Sequence, residues 1–259
     1  MALGCVTVTG LAGAPRALAS GLRLAAVAGP SGVPFVSPAG FGPTFAISPP
    51  GDTHRLFVGT KDGYVYVIDD GVLQPKPFLD LHAKVSTYNE DGLLDMAFDP
   101  AYASNHRFYL DYTDTANSVD LNLENYHLDE FQTSPSNPDL ADPSSERQIL
   151  EVPTTGCSQM TSPHFGGQLQ FGPDGDLWVA TGDGGDGCDE DFNSTSLANL
   201  HGKLLRIIPE PGNNPDINGN RYTVPSTNPL FGKPGMEPEI WAYGLRNPYP
   251  SPSTRRAAS

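Results

Sequence analysis

Basic residues are scarce: 15 Lys and Arg stand against 30 Asp and Glu, for a formal net charge of −15. A surface of that sign repels phosphate backbones, so nucleic acid is not an expected partner. No apolar run reaches the roughly 18 or more residues that a membrane-crossing helix needs, so no membrane span is expected. No GxxxxGK[ST] and no GxGxxG in a βαβ setting occurs, which leaves no nucleotide cradle. The absence of GxSxG and HExxH removes the common serine-nucleophile and zinc-hydrolase signatures. Cysteine is limited to Cys5, Cys157 and Cys188, with no CxxC pair to suggest zinc. Cys157 and Cys188 are 31 residues apart. Bridged, they would add roughly 3–4 kcal/mol on the chain-entropy estimate; the alternative is a pair of unbridged thiols.

Glycine and proline are plentiful, 28 and 26 of 259 residues, as expected of a loop-rich fold rather than a helical one. Small, apolar residues 1–30 read as a leader or a disordered segment, with Ala17-Leu18-Ala19 resembling a signal cleavage site. The expected location is secreted or periplasmic. Residues 31–250 carry the folded pattern, and 251–259 lose it.

Three segments repeat: AISPPGDTHRLFVGT (46–60), AFDPAYASNHRFYLDYT (97–113) and QFGPDGDLWVATG (170–182). Each has an apolar residue, a proline turn, a polar loop and an alternating strand. Ile47, Phe98 and Phe171 correspond, as do Phe57, Tyr109 and Trp178, the latter 52 and 69 residues apart. Further strands are expected at 64–69, 119–128, 203–208 and 239–245, with Pro-rich loops at 134–146 and 210–222. Short strands on a period near 50 residues predict an all-β chain, of β-propeller type rather than the alternative β-sandwich. At roughly 45–50 residues per blade, residues 35–250 supply four to five blades. An open ring leaves sheet edges unpaired, which predicts self-association as a homo-oligomer.

Four positions suggest chemistry. His164 precedes Gly166 and Gly167, which let a ligand approach. Asp183 ends a strand, where a carboxylate either fixes an imidazole tautomer or simply closes a turn. Arg246-Asn247 ends another strand, placing a guanidinium that clamps an oxyanion or forms an ion pair. Asp186, Asp189, Glu190 and Asp191 form an acidic loop, read as solvated rather than as a calcium site.

The pieces RLFVGTKDGYVYVI, DGLLDMAFDPAYASNHRFYLDYT, DPSSERQIL, HFGGQLQFGPDGDLWVATGDGG, LHGKLLRI and PEIWAYGLRNP occur in order across residues 40–248. This chain resembles the glucose/sorbosone dehydrogenase family, six-bladed propellers that oxidise an aldose at its anomeric carbon. The resemblance implies two cofactors, pyrroloquinoline quinone and Ca²⁺, a small sugar substrate and an external electron acceptor. It makes His164 the catalytic base and Asp183 its partner, with Arg246, Asn247 and Asp91 at the quinone. Calcium ligands would come from pieces beyond RNP, and the loss of pattern after Pro250 predicts a C-terminally truncated product. Asp91 stands where glutamine is common, Phe165 where asparagine follows the base, and Asp95 where a glycine is usual. The family's hedgehog-interacting-type members supply the alternative, a non-catalytic propeller that binds carbohydrate or protein.

Overall fold

The computed structural model describes residues 37–114, 124–153, 164–185, 189, 192–210 and 221–249, with the backbone of two short paired strands, β1 (Val6–Val8) and β2 (Leu24–Ala26). The described residues are all-β apart from one helical turn, α1 (Tyr102–Asn105). No helix among the described residues is long and apolar enough to cross a membrane.

Three antiparallel sheets follow one another along the chain. The first holds β3 (Pro43–Ile47), β4 (Arg55–Thr60), β5 (Tyr64–Asp69), β6 (Val72–Leu73) and β7 (Leu79–Asp80). The second is a meander of β8 (Leu93–Phe98), β9 (Arg107–Thr113), β10 (Tyr126–Thr133) and β11 (Ala141–Val152). The third contains β12 (Gly166–Phe171), β13 (Leu177–Thr181), β14 (Lys203–Pro209), β15 (Tyr222–Thr223) and β16 (Ile240–Tyr243). In the second sheet β8 is flanked by β3 on one side and β12 on the other, so the sheets stack as consecutive propeller blades do.

Two apolar layers hold the stack together. Phe57, Val65 and Val67 pack with Met96, Phe108 and Leu110 between the first and second sheets. Leu94, Tyr109 and Leu128 pack with Leu169, Leu177 and Leu205 between the second and third. The middle sheet is covered on both faces, which is why nearly every residue of β9, RFYLDYT, is buried. Aromatic edges meet in this packing: Phe57 lies 4.8 Å from Phe78 and Tyr109 lies 5.4 Å from Phe171, both T-shaped.

Several expectations shift. Apart from β1 and β2, the described residues form three blade-like sheets. The second and third sheets extend over 93–152 and 166–243, because long strands and insertions use more chain per blade. The repeat is also registered differently. Ile47 pairs with Phe57, Phe98 with Phe108 and Phe171 with Leu177, so Phe108 and Leu177 are the equivalents of Phe57 rather than Tyr109 and Trp178. All three are fully buried. The strand expected at 119–128 is β10, displaced to Tyr126–Thr133; residues 119–123 lie outside the described ones. Its middle holds Asp129 and Glu130, two buried carboxylates. Tyr112 Oη donates to Asp129 at 2.7 Å, and Arg147 pairs with Glu130. The loop expected at 134–146 is strand from Ala141 onward, irregularly registered against Gln132. Residues 1–5, most of the expected leader, the 211–220 part of the second Pro-rich loop and the 251–259 tail fall outside the described residues.

Candidate functional site

The site grows from the open end of the β12–β13 hairpin. Gly182 N donates to Phe165 O at 2.9 Å and Gly184 N to His164 O at 3.1 Å. These two bonds lay His164-Phe165 alongside Gly182–Gly184. Gly166 has φ +75° and Gly167 has φ +92°, a backbone that only glycine adopts without strain. A Cβ on Gly167 would also strike Leu94 of β8, at 2.5 Å.

That pairing brings His164 and Asp183 together. His164 Nδ1 donates to Asp183 Oδ1 at 2.8 Å. The histidine is 8% exposed and the aspartate 2%. Asp183 Oδ1 also accepts from Gly185 N at 3.0 Å, and Asp183 N donates to Arg246 O at 2.8 Å. Two bonds thus hold the carboxylate through Oδ1, and a third holds the backbone that carries it. With the Nδ1 proton directed at a carboxylate, Nε2 keeps its lone pair, which is the form a proton acceptor needs.

The surrounding loop is pinned by Lys203, a fully buried ammonium on β14. Its Nζ donates to the carbonyls of Asn193 at 2.7 Å and Ser194 at 3.1 Å, and to that of His201. Burial pushes this amine down to about 8, with Asp189 opposing the shift. Gly202 N donates to Gly182 O at 2.6 Å, passing that order to the dyad.

Replacement of Gly182 tests how tightly the hairpin end is closed. A Cβ there would sit 2.0 Å from His164 O and 2.8 Å from Phe165 N, both backbone atoms of the facing segment. Gly182→Ala should therefore separate the two ends. We expect a loss of roughly 1–3 kcal/mol or more in urea unfolding; an unchanged midpoint would show that the strands are not so close.

Beside the dyad lies a cleft of about 370 Å³ lined by Thr44, Lys61, Glu90, Asp91, Asn247 and Tyr249, among others. It is at the small end of the roughly 300–1,000 Å³ usual for ligand sites. Asn247 connects it to the hairpin: its Oδ1 accepts from Gly166 N at 3.0 Å and its Nδ2 donates to Glu90 Oε2 at 2.7 Å. Lys61 Nζ donates to Asn89 O at 2.5 Å. Burial lowers the Lys61 amine, while the charges of Asp91 and Glu90 oppose that shift.

Asp91 is fully buried here. Its Oδ2 accepts from Ser86 Oγ at 2.5 Å, and its Oδ1 has no hydrogen-bond partner. Burial pushes its carboxyl up to about 7, the Ser86 bond opposing and the charge of Glu124 assisting. Because the folded value lies above the ordinary 3.8, the contribution to stability is complete below that value. It is lost as pH rises from about 4 through about 7. Stability to urea should fall across that window with a slope approaching about 1 kcal/mol per pH unit. Asp91→Asn should flatten the slope; an unaltered slope would assign it elsewhere.

The structure thus brings His164, Asp183, Asn247 and the backbone of Arg246 into one assembly, with Asp91 across the adjoining cleft. The Arg246 side chain is exposed. Phe165 is buried in the layer between the second and third sheets, so its departure from the family pattern concerns packing. Asp95 ties those sheets: its Oδ2 accepts from Leu169 N at 3.0 Å. Lys61, Glu90 and Lys203 were not anticipated. The signal was there in Lys203, a lysine at the start of the apolar strand KLLRII. Asp189 Oδ2 accepts from Ser194 Oγ at 2.5 Å, closing a turn. Cys157, Cys188, Asp186, Glu190 and Asp191 lie outside the described residues. Among the described residues no three His, Cys, Asp or Glu side chains converge to hold a metal.

A family model described as Glucose / Sorbosone dehydrogenase matches residues 43–254. The Hedgehog-interacting protein of Mus musculus is 33% identical over 213 residues, covering 80% of this chain and 29% of that protein. A solved glucose dehydrogenase superposes with a TM-score of 0.60 at 23% identity, over 79% of this chain and 56% of the other. The PQQ-bound form of aldose sugar dehydrogenase from Streptomyces coelicolor gives 0.54 at 24% identity, over 79% and 51%. The chain therefore spans under a third of that curated relative and about half of these solved chains.

Proposed function

Since the chain belongs to the glucose/sorbosone dehydrogenase family, we propose that it supplies the catalytic base of a quinone-dependent aldose dehydrogenase. The observation that carries this reading is the buried 2.8 Å bond between His164 Nδ1 and Asp183 Oδ1. In this proposal His164 Nε2 takes the proton of the anomeric hydroxyl. Asp183 then stabilises the imidazolium and holds the ring in place. Pyrroloquinoline quinone, when bound, supplies the carbon that accepts the hydride. The sugar gives up one proton and one hydride and leaves as the lactone.

The residues present fit an anionic quinone. Lys61 lines the cleft, and Arg246, an exposed residue, adjoins Asn247 in the chain. Below about pH 7 burial keeps Asp91 largely protonated. Its orphaned oxygen then presents a neutral hydroxyl donor at the position where the family commonly has a neutral glutamine amide. Calcium rests on the family resemblance.

A second reading is favoured by one observation: both polar atoms of Asn247 are already engaged, with Gly166 and Glu90. In that reading the cleft binds carbohydrate or protein without oxidising it, consistent with a relative named Hedgehog-interacting protein. Titration with pyrroloquinoline quinone and Ca²⁺, followed by dye reduction with a panel of aldoses, separates the two. The dehydrogenase reading expects saturable quinone binding and sugar-dependent dye reduction. Absence of both supports the second.

A further inference from the structure

A second cleft, of about 360 Å³, lies between the end of β11 and the segment leading into β16. It shares no lining residue with the first. Three carboxylates line it, Glu151, Glu237 and Glu239, together with apolar Val152 and Leu200 and the ring of Tyr222. Glu239 is only 5% exposed. Its Oε1 accepts from Tyr222 Oη at 2.9 Å, while its Oε2 is buried with no hydrogen-bond donor.

We propose that this cleft is a separate binding site for an organic cation, an alkylammonium or guanidinium group on a short apolar stem. A buried carboxylate oxygen without a donor carries a desolvation cost that an incoming N–H donor would remove. No lysine or arginine lines the cleft; its one basic lining residue, His201, has Nε2 on Pro153 O at 3.1 Å, and two cations elsewhere in these sheets are already engaged. Lys203 holds three carbonyls, and Arg147 is bonded to Glu130 and to Glu210 O. Glu237 is pushed up by burial and then by the charge of Glu239, so the two carboxylates repel each other without internal compensation. A metal ion suits the site poorly: among the described residues no three such ligands converge. A charged group with several divergent N–H donors reaches spaced carboxylates where a single ion does not. Val152 and Leu200 offer the stem apolar contact.

The test titrates the protein with butylguanidinium, and with n-butanol as its uncharged counterpart, by calorimetry and amide NMR. Saturable binding of the cation, absent for the alcohol, with shifts at Tyr222 and Glu239, is expected. Glu239→Gln should weaken it about tenfold or more. Should Glu239→Gln fail to fold, by circular dichroism, Glu237→Gln at the partly exposed position should still weaken it several-fold. Agmatine and N-acetyl-arginine amide distinguish the sources. Preference for the first indicates a free amine metabolite, and preference for the second an arginine side chain of a partner. No saturable binding, equal binding of butanol, or unchanged affinity in the foldable variants would overturn the proposal. The site is independent of the quinone reading, because none of these measurements requires a cofactor.

Discussion

His164→Ala should lower quinone-dependent aldose oxidation by about 10²–10⁴-fold, the usual contribution of a positioned general base. The loss should fall on kcat, because the histidine acts on the proton that moves during reaction rather than on sugar affinity. Quinone binding, read by absorbance titration, should survive, since the cleft residues Lys61 and Asp91 are untouched. Asp183 keeps its bonds to Gly185 N and, through its own amide, to Arg246 O, so the loop has two anchors left. Asp183→Asn is the informative companion. An amide in place of the carboxylate no longer stabilises an imidazolium, and turnover should fall with the base retained. Full turnover by His164→Ala in a reconstituted preparation would remove the histidine from its assigned role.

The largest stability effect is expected away from the cleft. Arg147 on β11 and Glu130 on β10 form a buried two-pronged ion pair, Nη2 to Oε2 at 2.6 Å and Nε to Oε1 at 3.2 Å. Their side chains are 3% and 5% exposed. Tyr109 Oη donates to Glu130 Oε2 at 2.8 Å, and Arg147 Nη2 donates to Glu210 O at 2.5 Å. The pair therefore ties the second sheet to the third. Arg147→Ala strands a buried carboxylate, at about 3–5 kcal/mol, or roughly 10 °C in Tm. The double variant Arg147→Met with Glu130→Gln removes both charges while leaving Tyr109 an acceptor. It should recover part of that loss, because the penalty lies in the unpaired charge more than in the missing bond. Thermal melts of the three forms decide this; a loss under about 1 kcal/mol in the single variant would show the pair to be solvated.

What the sequence disclosed follows from which signals were local. The hairpins were legible because PDG and PPGD turns are built by two or three adjacent residues, as Gly175 with φ +86° illustrates. The repeat was visible, but its register was not. Strand β9 is buried on both faces, and alternation cannot say which of Phe108 and Tyr109 faces which neighbour. β10 was displaced because its buried Asp129 and Glu130 carry partners from Tyr112 and Arg147, distant in sequence. In the site, His164 and Asp183 are weak signals apart. The residue types alone did not join them; the backbone pairing of their flanking glycines does. Asn247 was named for a cofactor contact, yet its amide spans Gly166 and Glu90, a bridge between positions far apart in the chain. Lys61 and Glu90 gave no local sign, because their shared cleft exists only once the first and second sheets are stacked.

Catalysis at this site requires His164 to be held as a base, with its Nδ1 proton on Asp183 and Nε2 open. Long-range ¹H–¹⁵N NMR of the imidazole ring reads this directly in the protein without cofactor. A protonated Nδ1 and an unprotonated Nε2 are expected in the neutral ring, with that preference lost in Asp183→Asn. A proton resident on Nε2, or a tautomer that Asp183→Asn leaves unchanged, would contradict this assignment.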